Sequence, residues 1–293
     1  MTAATEPTAL APPAVSKRRK ARRPVPAMLV VGAIGLFILV AIFLFGEQIA
    51  GYTSTHQALT DRLLPPMTDG HLLGTDQLGR DVFARVAAGF RWSLPVGFLA
   101  ATMATTIGTI LGVAAGWSEG IVRNVITRVI DMAISFPYFV LATAIIAVVG
   151  RGFTTLIIVL GSVAWVSVAR VVYAETRALK EREYILAARL IGVPPARILF
   201  TYVLRGLRAR VTVMFAFLFA DLLVAEAALS YLGIGAPVGA PSWGNMLFAA
   251  RDGIFTAPWL LWGPAAAVVL AVITANMLGD GLNQRWNVGV EQE

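Results

Sequence analysis

The chain of 293 residues is 57% Ala, Val, Ile, Leu, Met, Phe, Trp, Tyr and Cys, has a mean hydropathy of +0.74, and carries 24 Lys and Arg against 17 Asp and Glu, a net charge of +7. Soluble domains hold roughly 45–50% apolar residues, so the composition and its long apolar blocks exclude an ordinary water-soluble fold and identify an integral membrane protein. The absence of cysteine excludes disulfides, a thiolate nucleophile and cysteine-held metals, and the only histidines, His56 and His71, lack the spacing of a zinc-binding HExxH helix.

Residues 1–26 are rich in Ala, Pro and Thr and then basic through Lys17, Arg18, Arg19, Lys20, Arg22 and Arg23. That composition predicts a disordered tail able to lie against anionic membrane lipid. The apolar block that follows, 27–46, is longer than the roughly 7–15 residues of a signal-peptide core, and no clear small-residue cleavage site follows it. It is expected to be the first membrane helix. Segment 47–93, with Pro65-Pro66, is too long for a turn and is expected to fold on the outer surface.

Five further apolar blocks complete the pattern, at 94–116, 129–149, 152–169, 211–234 and 258–278. About 20 residues at 1.5 Å each cross a hydrocarbon layer of ~30 Å. A membrane barrel would need short strands of alternating polarity, which are missing here. The expected fold is therefore all-α, with six transmembrane helices. Gly108, Gly112 and Gly116 place two overlapping GxxxG steps on one face of the second helix, a pattern for close helix packing. Asp131, Asp221 and Glu226 lie inside apolar blocks, where a carboxylate costs at least ~2.5–3.5 kcal/mol. Structural pairing and lining of a polar path both remain open for them; Asp131, near the end of its block, leans toward the first.

Between the fourth and fifth blocks, Arg170, Arg177, Lys180, Arg182, Arg189, Arg197, Arg205, Arg208 and Arg210 form the second basic cluster. The positive-inside rule puts this cluster and the basic N-terminal tail on the cytoplasmic side. Six spans then place both termini there. The charge is a topology signal and gives no support for nucleic-acid binding. Within the cluster, Tyr184, Ala187, Ala188 and Ile191 recur at i, i+3, i+4 and i+7, a narrow apolar stripe of the kind that seeks a partner groove. Gly192 is placed to end that helix and Pro195 to open another. No GxxxxGK[ST] loop occurs, so nucleotide energy, if used, must enter through another subunit.

This segment resembles the EAA loop of ABC importer permeases: Ala187, Ala188 and Gly192 match, while Leu186 stands in place of the Glu and Arg205 in place of a proline. Leu73-Gly74-Thr75-Asp76-Gln77-Leu78-Gly79-Arg80-Asp81 is similar to the LGTDxxGRD signature of C-type permeases in the dipeptide, oligopeptide and nickel group. Arg128-Val129-Ile130-Asp131 with Phe136-Pro137 fits the same group, as do Ala225-Glu226-Ala227-Ala228-Leu229-Ser230-Tyr231-Leu232-Gly233, Pro241-Ser242-Trp243-Gly244-Asn245-Met246 and Gly279-Asp280-Gly281-Leu282.

The resemblance implies a type I ABC importer permease fold in the bacterial inner membrane, with a transmembrane domain over 94–280, a cytoplasmic coupling segment at 174–208 and a cytoplasmic tail at 281–293. It implies a non-catalytic subunit that works with a homologous B-type permease, two ATPase subunits that bind ATP and Mg, and an extracytoplasmic solute-binding protein. No cofactor is expected in this chain. Glu183, Tyr184, Ala187, Ala188, Ile191, Gly192 and Arg197 would then form the ATPase-coupling surface, and Asp76, Arg80, Asp81, Trp243 and Asn245 candidate extracytoplasmic contacts. The solute would be a peptide or related small molecule, with a nickel or other metal chelate as the alternative. Two other classes stay open on the residues alone: an ion-coupled secondary transporter, which should show inverted repeats, and a membrane-embedded enzyme, for which no catalytic constellation is found.

Overall fold

The structure, a computed structural model, describes residues 25–287. Most of the expected basic tail lies outside the described residues, as do the last six residues of the chain. Ten α-helices follow in order: α1 (Ala27–Ala50), α2 (Val82–Trp117), α3 (Ile121–Ile134), α4 (Tyr138–Val149), α5 (Phe153–Lys180), α6 (Glu183–Leu190), α7 (Pro195–Ile198), α8 (Leu204–Tyr231), α9 (Trp243–Ala250) and α10 (Trp259–Asn287). Among the described residues, β-structure is confined to two isolated bridges, Thr68 with His71 and Thr75 with Asp81. The protein is an all-helical, multi-pass membrane protein.

Five helices are long and apolar enough to cross a bilayer: α1, α2, α5, α10, and the continuous run Pro195–Tyr231 that joins α7 to α8 through a π-helical turn at Leu199–Val203. The remaining block, expected as one span at 129–149, is instead broken. Helices α3 and α4 meet at 84° around Ser135, Phe136 and Pro137, and make a sixth span only if the bent pair is counted as one. Pro137 explains the break, because it has no N–H to continue the ladder and disfavours helical geometry in the residue before it.

Two helix boundaries also differ from the apolar blocks. Helix α2 starts at Val82, well before 94, because the side chain of Asp81 caps it by accepting from Ala84 N at 2.6 Å. At the other end of the chain α10 continues to Asn287, so the tail expected from residue 281 begins as helix.

The centre of the bundle is the α2–α5 pair. A Cβ added at Gly108 would lie 2.6 Å from Trp165 O, at Gly112 2.7 Å from Ala169 O, and at Gly116 2.6 Å from Thr176 Cβ. Three glycines a turn apart thus let two backbones run in direct contact, where any side chain would wedge them apart. Around this seam α8 packs against α2 with Val96, Ala100, Leu222 and Leu229 in a shared core, and α1 and α10 cover the other side.

Candidate functional site

The α6–α7 unit hangs from the ends of two long helices. Helix α5 ends at Lys180, Arg182 turns the chain, and α6 runs to Leu190. There Gly192 takes φ +80°, with Gly192 N donating to Arg189 O at 3.0 Å and Val193 N to Ala188 O at 3.0 Å. These two bonds are a Schellman cap, and the left-handed residue at its centre is where glycine carries no Cβ penalty. Pro195 then opens α7 as its first residue.

The unit has two faces. Ile185, Ala188, Ile198 and Val203 are buried against Val113 of α2 and Val168 and Val172 of α5. Tyr184, Leu186, Ala187, Leu190 and Ile191 are exposed, Ile191 by 80%, and so are Glu183 and Arg197 at the margins. The sequence stripe therefore divides: Ala188 faces its own bundle, while Tyr184, Ala187 and Ile191 face outward. The 3.6-residue period places Ala188 on the line of Ile185, which the stripe had left out.

A contact that the sequence motifs did not mark ties this unit to α2. The guanidinium of Arg189 sits 5.2 Å from the ring centre of Trp117, the last residue of α2, and Lys180 Nζ sits 6.0 Å from it. Lys180 also donates to Trp117 O at 3.2 Å and pairs with Glu119 at 2.7 Å. The hydrogen bond from Lys180 holds the Glu119 carboxyl below its ordinary pKa.

At the opposite end of the bundle, the motif residues are mostly engaged inside the chain. Asp76 Oδ1 accepts from Leu78 N and Arg80 N, and its Oδ2 pairs with Arg80 Nε at 2.7 Å. Asp81 Oδ2 meets His71 Nδ1 at 2.7 Å, and Tyr52 stacks on that imidazole. Trp243 is fully buried, its Nε1 donating to Val86 O at 3.1 Å and its ring edge-on to Phe90 above Gly89. Asn245 Nδ2 donates to Pro237 O at 2.7 Å and clamps the preceding loop. Trp243 and Asp81, read from the sequence as candidate contacts for a second protein, are thus not accessible to one. Burial of a large ring and a capping carboxylate accounts for both.

The three intramembrane acids have separate settings. Glu226 is fully buried among Ser93, Ser230 and Ser242, with Ser230 Oγ donating to Oε1 at 2.9 Å. Asp131 is exposed on α3. Asp221 is also exposed and opens into a cavity of about 560 Å³ at the α3–α4 bend, lined among others by Pro137, Tyr138, Ser162, Arg170 and Leu222. Among the described residues, no cluster of His, Cys, Asp and Glu is arranged to hold a metal.

Residues 108–289 match the sequence pattern of the family described as binding-protein-dependent transport system inner membrane component. The chain is 35% identical over 257 residues to the dipeptide transport system permease protein DppC of Alkalihalophilus pseudofirmus, covering 87% of this chain and 84% of that protein. It is 38% identical over 264 residues to the glutathione transport system permease protein GsiD of Salmonella typhimurium, covering 90% and 86%. The corresponding glutathione permease of Pectobacterium atrosepticum is 36% identical over 252 residues.

Proposed function

This chain belongs to the family of binding-protein-dependent transport system inner membrane components, and from that premise we propose that it is one permease half of an ATP-driven importer for short peptides. It pairs with a homologous permease in the bacterial inner membrane and receives solute from a binding protein outside. Both termini and the α6–α7 unit face the cytoplasm, where separate ATPase subunits bind ATP and Mg.

The observation that carries this reading is the two-sided α6–α7 unit. Its inner face is fixed to the α2–α5 pair, and its outer face presents Tyr184, Ala187, Leu190 and Ile191. Exposed apolar side chains at a helix–turn–helix rimmed by Glu183 and Arg197 suit insertion into a cleft of a second protein. A compact unit capped by Gly192 would pass rigid-body motion of that protein to the helices behind it. The peptide reading is supported by the dipeptide and glutathione permeases to which the chain is similar. The ion-coupled alternative would need a carboxylate free to bind and release a coupling ion: Glu226 is enclosed by three serines, which leaves Asp221, open to a cavity, as the group that reading would have to use and the ionophore experiment as its test.

Reconstitution with the partner permease, ATPase subunits and binding protein tests the reading. Dipeptide uptake should require ATP, persist in the presence of a proton ionophore, and be absent with this chain alone. ATP hydrolysis by the purified chain alone, or uptake collapsed by the ionophore at constant ATP, overturns it.

A further inference from the structure

The cavity at the α3–α4 bend holds two opposite charges. Asp221 comes from α8 and Arg170 from α5, and among the described residues neither side chain has a hydrogen bond or ion pair within the chain. Both lie in helices apolar enough to span the bilayer. A charge in that setting is retained only where water or a complementary charge reaches it. The hydroxyls of Ser162 and Ser167, on the same wall, donate back to Val159 O and Ala164 O at 3.0 Å each. That leaves their oxygens free to accept from a ligand. Tyr138, Phe136 and Trp165 supply apolar surface around these polar groups.

We propose that this cavity is a peptide-binding station within the permease, with Asp221 receiving the cationic amino terminus of a short peptide and Arg170 its carboxylate. The inference rests on the importer reading above and specifies which solute that reading admits. A volume of about 560 Å³ falls within the roughly 300–1,000 Å³ of small-ligand sites. A zwitterionic dipeptide brings one ammonium and one carboxylate, and so neutralises both unpaired groups at once. Its amide N–H meets the serine oxygens. An anionic metal chelate would satisfy Arg170 but meet Asp221 as a like charge, so the pair selects against it. The bend at Pro137 forms one side of the cavity, which Ala133, Ile134, Phe136 and Pro137 all line.

The chain has no cysteine, so Ser162→Cys on α5, or Leu141→Cys on α4, gives a unique thiol lining the cavity in this subunit of the assembled importer. With one charge of each sign in the cavity, cationic and anionic methanethiosulfonates of equal size should label at similar rates, whereas a cleft left with one sign concentrates counter-ions by about tenfold or more. Asp221→Asn leaves Arg170 as the lone charge and should favour the anionic reagent by about tenfold, lower ATP-driven dipeptide uptake severalfold and leave binding-protein affinity unchanged; Asp221→Glu should restore the balanced labelling and the uptake. During turnover a dipeptide should slow labelling and its N-acetylated form should not. If proteoliposomes take up dipeptide yet the thiol is unlabelled, is labelled with the same charge preference in Asp221→Asn as in the unaltered chain, or is labelled at a rate the dipeptide does not change, the station is elsewhere and the importer reading stands. If they take up no dipeptide with ATP, the importer reading itself fails.

Discussion

The guanidinium of Arg189 lies over the indole of Trp117, 5.2 Å from the ring centre, and so joins the end of α6 to the end of α2. Lys180 approaches the same ring from the end of α5. Three helix ends therefore meet on one aromatic side chain.

Trp117→Ala should uncouple the subunit. Each cation over the ring contributes about 0.5–1 kcal/mol at an exposed site, so the chain should still fold, while peptide-stimulated ATP hydrolysis falls severalfold. Trp117→Phe, which keeps a ring face, should retain most of it. Normal stimulation in Trp117→Ala would show that motion enters by another contact.

Gly192→Val should misdirect α7. Nothing lies within 4 Å of a Cβ at this position, so the penalty is conformational alone: about 1–2 kcal/mol for an L-residue held in the left-handed region. Gly192→Asn should be milder, since asparagine tolerates that region. Hydrolysis by the assembled importer should rank Gly, then Asn, then Val, and an unchanged Val variant would contradict the cap.

Gly112→Ala should loosen the central seam, because its methyl would meet Ala169 O at 2.7 Å. Overpacking of this kind typically costs ~1–3 kcal/mol. A thermal melt in detergent should shift down, and Gly112→Leu should not yield folded protein. Gly120→Ala, with open space around it but φ +66°, serves as the conformational control.

Much of this architecture can be read in the residues, and the exceptions have physical causes. The Gly192 turn and the Pro195 start follow from local chemistry confined to a few neighbours. The apolar run 129–149 concealed the bend at Pro137, since hydropathy averages over a window and one proline barely alters it. Trp117 was invisible because its partner Lys180 is 63 residues away, and the burial of Trp243 because Val86, to whose carbonyl its indole N–H donates, is 157 residues away. Contacts at such separations are products of the fold, with no periodicity to announce them.

Topology can be tested with the same cysteine-free background. A cysteine at Glu183 should be protected from impermeant reagents outside intact cells, and cysteines at Thr68 and Val238 should react, Val238 being 90% exposed. Ser242 is fully buried and should resist labelling from either side. Outside labelling at Glu183 would invert the proposed orientation.

Glu226→Gln should assemble, because its amide oxygen still accepts from Ser230 Oγ, which Oε1 does at 2.9 Å. Glu226→Leu leaves buried hydroxyls without an acceptor, at about 1–3 kcal/mol for each unsatisfied group, and should lower the melting temperature markedly. Equal stability of the two variants would remove the serine ring from the account of this region.

The uninterrupted run Pro195–Tyr231 has 37 residues, which makes a rod about 55 Å long at 1.5 Å per residue. Near one end it is held by Glu226, Ser230 and the buried serines around them; at the other it carries α7. Such a rod is a lever with its fulcrum off centre. A tilt of only about 10° at the held end sweeps the α7 end through roughly 10 Å, given that length. Angular play at the serines would thus be magnified where α7 sits, and because Ile198 and Val203 are packed there on Val113, Val168 and Val172, any such tilt would draw the α2–α5 pair with it.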